Sequence, residues 1–129
     1  MARPIVALLL TGVVALAGCA STPDKPPGHN AVFLRPAAEV QKAAVDALVE
    51  LGFDVEKSEP VYVEGFRPRK VGLFVGSGGE TVGIWIEPLG PSRTGVRVDT
   101  ARSFVGIAGQ KRWDEDVLDK LEKSLGKKE

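Results

Sequence analysis

With 129 residues and 17 Lys and Arg against 17 Asp and Glu, the chain carries no net charge. That balance excludes a generally basic nucleic-acid binder, and one domain of this size can bury a real but modest core. A single cysteine and a single histidine, Cys19 and His29, leave no internal disulfide and too few soft ligands for an ordinary zinc site.

The N-terminus reads as an export signal. Arg3 is followed by an uncharged apolar run from Ile5 to Ala17. A bilayer-spanning helix takes about 20 apolar residues, so this shorter run fits the apolar core of a secretory signal. The run ends in Leu16-Ala17-Gly18-Cys19. These four residues resemble the lipobox of bacterial lipoproteins, in which small residues precede an invariant cysteine. The resemblance implies a signal peptide over 1–18, cleavage between Gly18 and Cys19, and a palmitate-type diacylglycerol on the Cys19 sulfur. The membrane is then the first partner, since each buried CH₂ contributes roughly 0.8 kcal/mol and several acyl chains anchor stably. Ala20 in place of Asp implies, by the same resemblance, an outer-membrane protein facing the periplasm. The alternatives are an ordinary signal peptide cut near Ala20 or an uncleaved anchor. Without 1–18 the chain keeps 16 basic and 17 acidic residues, a net charge of −1.

Residues 20–30, "ASTPDKPPGHN", hold three prolines and one glycine. With Cys19 they read as a lipidated N-terminus and Pro-rich tether over 19–30. Extended at up to about 3.3 Å per residue, such a tether reaches roughly 35 Å. His29 lies in it with no expected partner for metal or base chemistry.

The globular domain is expected over 31–129. "AVFLR" (31–35) is a short strand. Pro36 suits the first position of a helix, and Val40, Ala44, Ala47, Leu48 and Leu51 then share one helical face. Gly52 is placed to end that helix in a left-handed turn, with Phe53 packing back on Leu48. Glu39, Lys42, Asp46 and Glu50 fall on the solvated side. "FDVEKS" (53–58) and "VYVEGFR" (61–67) read as a hairpin broken at Pro60. "ETVGIWIEP" (80–88) sets Val82, Ile84 and Ile86 on one face, with Trp85 opposite and Gly83 beside it. "LGPS" is a turn, and "RTGVRVDTA" (93–101) points Val96 and Val98 inward. The last helix carries Val117, Leu118, Leu121 and Leu125 on one face. Its expected N-cap is Asp114, with Trp113 and Leu118 as a hydrophobic staple and Gly126 as the stop. The fold class is α+β, a single four- to five-stranded antiparallel sheet packed by two helices in the order β-α-β-β-β-β-α.

Phe-Val-Gly occurs twice, in "FVGSGGE" (74–80) and "FVGIAGQ" (104–110). If Glu87 faces Thr94, the same register sets Val75 opposite Gly106 and Phe74 opposite Ile107. The two copies are then strand extensions of one bent hairpin. Neither has the helix N-terminus and Lys-Ser/Thr of a phosphate loop. Phe74, Val75, Phe104, Val105 and Ile107 make either an exposed contact patch or a flap closed over the core. Residues 65–112 hold eight basic and three acidic residues, so Arg67, Arg69, Lys70, Arg97 and Arg102 form a candidate basic patch or a solvated surface. Glu64, Glu80, Glu87 and Asp99 are the carboxylates available for glycosidase-type pairing, but nothing in the sequence sets their separation. No catalytic residue, metal site or cofactor is assigned.

The lipobox, proline-rich tether and element order resemble those of small proteobacterial outer-membrane lipoproteins. "PRKVGLFVGSGGE" and "VGIAGQKRW" are the stretches that carry this likeness, and the order over 31–125 is similar to the helix-grip-like domains of BamC, an accessory lipoprotein of outer-membrane protein assembly. The resemblance implies a non-catalytic, protein-interaction or scaffold role with an envelope protein as partner. The alternative is a binder of a small apolar or lipid ligand between the sheet and the C-terminal helix.

Overall fold

The computed structural model describes residues 22–71, 74–102 and 111–129, with the backbone alone over 69–71 and 74–78. The elements are β1 (Ala31–Phe33), α1 (Ala37–Glu50), β2 (Asp54–Glu59), β3 (Tyr62–Val71), β4 (Phe74–Gly90), β5 (Arg93–Arg102) and α2 (Asp114–Leu125). The five strands form one antiparallel sheet in the order β1-β5-β4-β3-β2. Both helices pack on one face of it, giving the expected α+β fold.

Helix α1 follows from its apolar stripe. Val40, Ala43, Ala44, Ala47 and Leu48 are buried, and Glu39, Lys42, Asp46 and Glu50 are exposed. Its end is a Schellman turn: the Gly52 amide donates to the Val49 carbonyl at 3.1 Å and the Phe53 amide to the Leu48 carbonyl at 2.9 Å. Gly52 has φ of +87°, where a Cβ is unfavourable. The start of α2 differs from expectation by one residue. Trp113 is the N-cap and Asp114 the first helical residue, with no side-chain cap. The Asp114 carboxylate instead accepts from Thr100 Oγ1 at 2.5 Å, while Thr100 Oγ1 accepts from the Trp113 amide at 2.9 Å. A tertiary tie to β5 therefore takes the side chain that local rules assign to the cap.

The core is the inner face of the sheet against these helices. Val63, Val82, Ile84, Ile86, Val96 and Val98 alternate inward and meet Phe33, Val40, Leu48, Val117 and Leu121. The β4–β5 register differs by one from the expected pairing: Glu87 faces Gly95, not Thr94, and Ile84 faces Val98. The reason is packing. Thr94 is buried and donates to the Arg35 carbonyl at 2.8 Å, so it belongs to the inner face, whereas Glu87 is exposed. The Phe74–Val75 end of β4 pairs with β3, through Val71–Phe74 and Lys70–Val75. Its expected mate, residues 104–107, lies outside the described residues.

Both outer strands are blunted. Beside β1, the Glu129 amide donates to the Val32 carbonyl at 2.7 Å, and Arg93 grips the Glu129 carboxylate at 3.0 and 3.2 Å. At the other edge, β2 carries Asp54, Glu56, Lys57 and Glu59 and a register shift between Val55 and Lys57. Charge and a bulge on an edge discourage pairing with another chain. Leu121→Ala, which empties a fully buried site, is expected to cost about 2–5 kcal/mol in urea unfolding. Lys123→Ala on the exposed side should stay within about 0.5 kcal/mol of the parent.

Candidate functional site

The pleat that sends the valines and isoleucines inward sends a different set outward. Register across the strands places these residues in rows. Glu59, Tyr62, Trp85 and Arg97 form one row, and Lys57, Glu64, Gly83 and Asp99 the next. Glu87 and Gly95 flank the first row, and Phe66, Thr81 and Ala101 flank the second. Tyr62 and Trp85 lie with ring centroids 5.1 Å apart. The Tyr62 hydroxyl donates to Glu64 Oε1 at 3.0 Å. Burial, and then the adjacent Glu64 carboxylate, hold the phenol protonated well above its ordinary range.

Residues 22–30 cross this outer face. The stretch expected as an extended tether is instead a strap laid on the sheet, and His29 has partners after all. From its C-terminal end, the Asn30 amide donates to the Val96 carbonyl, and Asn30 Oδ1 accepts from the Val98 amide, both at 2.8 Å. His29 Nε2 lies 2.6 Å from Glu87 Oε2, which also accepts from Arg97 Nη2 at 3.2 Å. Arg97 Nη1 donates to the Pro26 carbonyl at 2.7 Å. The Asp24 amide donates to Asp99 Oδ2 at 2.9 Å. Pro23 is buried at the far end.

Two glycines make this path. A Cβ on Gly95 would stand 2.6 Å from His29 Nε2. A Cβ on Gly83 would stand 2.9 Å from the Pro23 Cβ, 2.9 Å from the Tyr62 hydroxyl and 3.0 Å from Trp85. Pro23 thus sits over a bare stretch of β4 that the paired Tyr62 and Trp85 also approach. Arg97, the β5 mate of Trp85, keeps only 16% of its side chain exposed, and its Nε is buried with no hydrogen-bond partner.

The sequence-derived candidates disperse in three dimensions. Arg97 is on the outer face, while Arg67 points to the helix side, its guanidinium 4.9 Å from the Trp113 ring centroid. Lys111 approaches the same ring at 4.4 Å. Arg67 and Arg97 therefore do not share one surface. Arg102 is exposed near the end of β5, and Arg69 and Lys70 are described by backbone alone. Phe74 and Val75 are placed on β4 by backbone alone, and Phe104, Val105 and Ile107 lie outside the described residues, as do Gly18 and Cys19. Of the four carboxylates, Glu80 lies on the helix side and accepts from the Lys111 amide at 3.2 Å. Glu64 is buried beside Tyr62, with Lys57 Nζ 3.8 Å away. Glu87 and Asp99 are engaged with the strap, and Asp99 is also paired with Arg112 at 3.3 Å. Among the described residues no group of three or more His, Cys, Asp or Glu is arranged to hold a metal ion.

The strap contacts escaped the sequence because each is local to nothing: His29 and Glu87 are 58 residues apart. The one available signal was a glycine at an outward strand position beside an aromatic, Gly83 next to Trp85. Gly83→Val or Gly95→Val is expected to lift the strap while leaving the core intact. Backbone amides 24–30 should then exchange faster and residues 22–28 become cleavable by protease, with unfolding of the sheet unchanged within about 1 kcal/mol. Acid should act in the same direction. His29, then Arg97, holds the Glu87 carboxyl below its ordinary value of 4.5. A lowered pKa means the docked strap favours the ionised form, so its contribution is present above pH 4.5 and is lost as pH falls through the lower, docked value. Strap exchange followed against pH checks this, and Glu87→Gln should remove the acid dependence. No family model and no curated protein matches the chain.

Proposed function

We propose that the chain is a non-catalytic, lipid-anchored envelope protein whose domain works as an interaction module facing the periplasm. The observation that supports this is the outer sheet face. Its polar side chains are turned to a passing chain segment, with Arg97 on a backbone carbonyl, Asp99 on a backbone amide and Tyr62 and Trp85 beside a proline ring. These are the contacts of a surface that holds polypeptide, and none of the four candidate carboxylates stands free beside another in a manner suited to acid–base work. The space between sheet and α2 is taken by Val98, Val117 and Leu121, all part of one buried core. That favours an interaction surface over a gripped lipid ligand.

Anchoring at Cys19 gives the strap a geometric role. Four residues lead from Cys19 to Pro23, at most about 14 Å of chain. A docked strap holds the outer face close to the bilayer, and a released one allows the roughly 35 Å reach of the extended tether.

Two measurements test the proposal. Cys19→Ser, or globomycin, is expected to block processing and shift the chain out of the membrane fraction; unchanged processing and membrane residence would overturn the anchor. Photo-crosslinkers placed in cells at position 57 on the outer face, and at 74 and 104, should give a discrete protein adduct that a probe at position 42 on α1 does not. Absence of any such adduct from all three positions would overturn the interaction role.

A further inference from the structure

The strap occupies the outer face in the manner of a ligand, and three features say that the occupancy is exchangeable. First, the recognition is generic. One proline is seated over Gly83, where Tyr62 and Trp85 also reach. Asp99 accepts the next backbone amide, that of Asp24, and Arg97 donates to the Pro26 carbonyl two positions further on. Beyond the proline the face reads backbone groups, the His29 imidazole and the Asn30 side chain, so it makes few demands on the sequence of the segment. Second, the fit is incomplete. Arg97 Nε is buried under the strap without a partner, and a buried donor left unsatisfied costs more than a made bond returns. Third, most of the strap stays exposed, with Pro23 the one residue of 22–30 that is buried.

The spacing defines the chemistry of what fits. Pro23 and Pro26 are three residues apart. That is the Pro-x-x-Pro spacing that puts both prolines on one side of an extended left-handed helix and docks on aromatic surfaces. His29 follows Pro23 by six residues and brings a basic ring to Glu87. The two rows hold Glu59, Glu64 and Asp99 against Lys57 and Arg97, with Glu87 beside them, so the face as a whole favours a basic group on its ligand.

We propose that the outer sheet face is a peptide-recognition groove for an extended proline-bearing segment of a partner protein, with a basic residue about six positions after the proline, and that residues 22–29 fill it in cis as a displaceable lid. This rests on the interaction-module reading above and names the class of partner. A partner segment seats its proline over Gly83, gives Arg97 Nε the acceptor it lacks, and sets its cation on Glu87. Displacing the lid lengthens the link to Cys19, so capture of the partner and release of the domain from the membrane surface are one event.

The test uses the full chain in detergent with the lid disabled by Pro23→Ser, Pro26→Ser and His29→Ser, and with Pro23→Ser alone as the milder variant. A synthetic peptide of residues 21–30 is titrated in while the amide and indole resonances of Gly83, Trp85 and Arg97 are followed. A short linker supplies an effective concentration on the order of mM. The intact chain is therefore expected to bind the peptide at least about tenfold more weakly than the lid-disabled chain. The same peptide carrying His29→Ala should bind several-fold more weakly, because it brings no ring to Glu87, and Gly83→Val in the lid-disabled chain should abolish the shifts. No saturable shift up to about 10 mM peptide in either lid variant, with the core resonances of Ile84 and Val98 unmoved, would overturn the groove. Equal binding by intact and lid-disabled chains would overturn the lid. A failed titration alongside a persisting adduct from position 57 would sink this partner class and leave the interaction role standing.

Discussion

One-sided burial is the constraint on which the rest of the structure depends. Two helices, of 14 and 12 residues, can cover one face of a five-stranded sheet, and they do so with Val40, Leu48, Val117 and Leu121 against Val82, Ile84, Val96 and Val98. With no disulfide to constrain the unfolded chain, the hydrophobic effect on that face supplies the main driving force. Among the described residues no helix covers the opposite face. Its strands must therefore alternate toward polar and small residues, and the chain meets this with Glu64, Glu87, Arg97 and Asp99, two aromatics and two glycines.

The uncovered face then decides where the N-terminal segment goes. A Pro-rich stretch has few amides to donate and little apolar surface, so alone it stays extended in water. Here it gains a proline contact over Gly83, two backbone hydrogen bonds to β5 side chains and a carboxylate for His29. These are modest, partly solvated interactions, and surface ion pairs of this kind contribute little each. The balance suits a segment that is held without being permanently part of the fold. The same logic separates the strap from the true edges of the sheet. At β1 the chain end is locked by a backbone hydrogen bond and a two-pronged Arg93 pair, and β2 is defended by its charges.

Sequence and structure part company at particular residues. Helix α1 was legible to within a residue of its start, where Pro36 is the N-cap and Ala37 the first helical residue, because its apolar stripe, Pro36 and Gly52 all act within a few residues of one another. The hairpin turns at Pro60 and Gly90 were legible for the same reason. The β4–β5 register was displaced by one position, since the choice between Thr94 and Gly95 as the mate of Glu87 depends on the bond of buried Thr94 to the Arg35 carbonyl 59 residues away. Asp114 reads as a cap and serves as a tie to Thr100. The basic residues of 65–112 read as one patch, yet alternation along β3 and β5 sends Arg67 to Trp113 and Arg97 to the strap.

What the amino-acid sequence determined by itself was whatever short-range periodicity can encode: the two helices, the strand order along the chain, the inward set of side chains and hence the α+β class. What only the tertiary structure decided was the use of the outward set. Whether a polar strand face is merely solvated or holds another piece of chain depends on which distant residues the sheet brings into the same row, and on the absence of two β-carbons at Gly83 and Gly95. A linear sequence records those glycines but not what passes over them, because the contact exists only once the strands have paired.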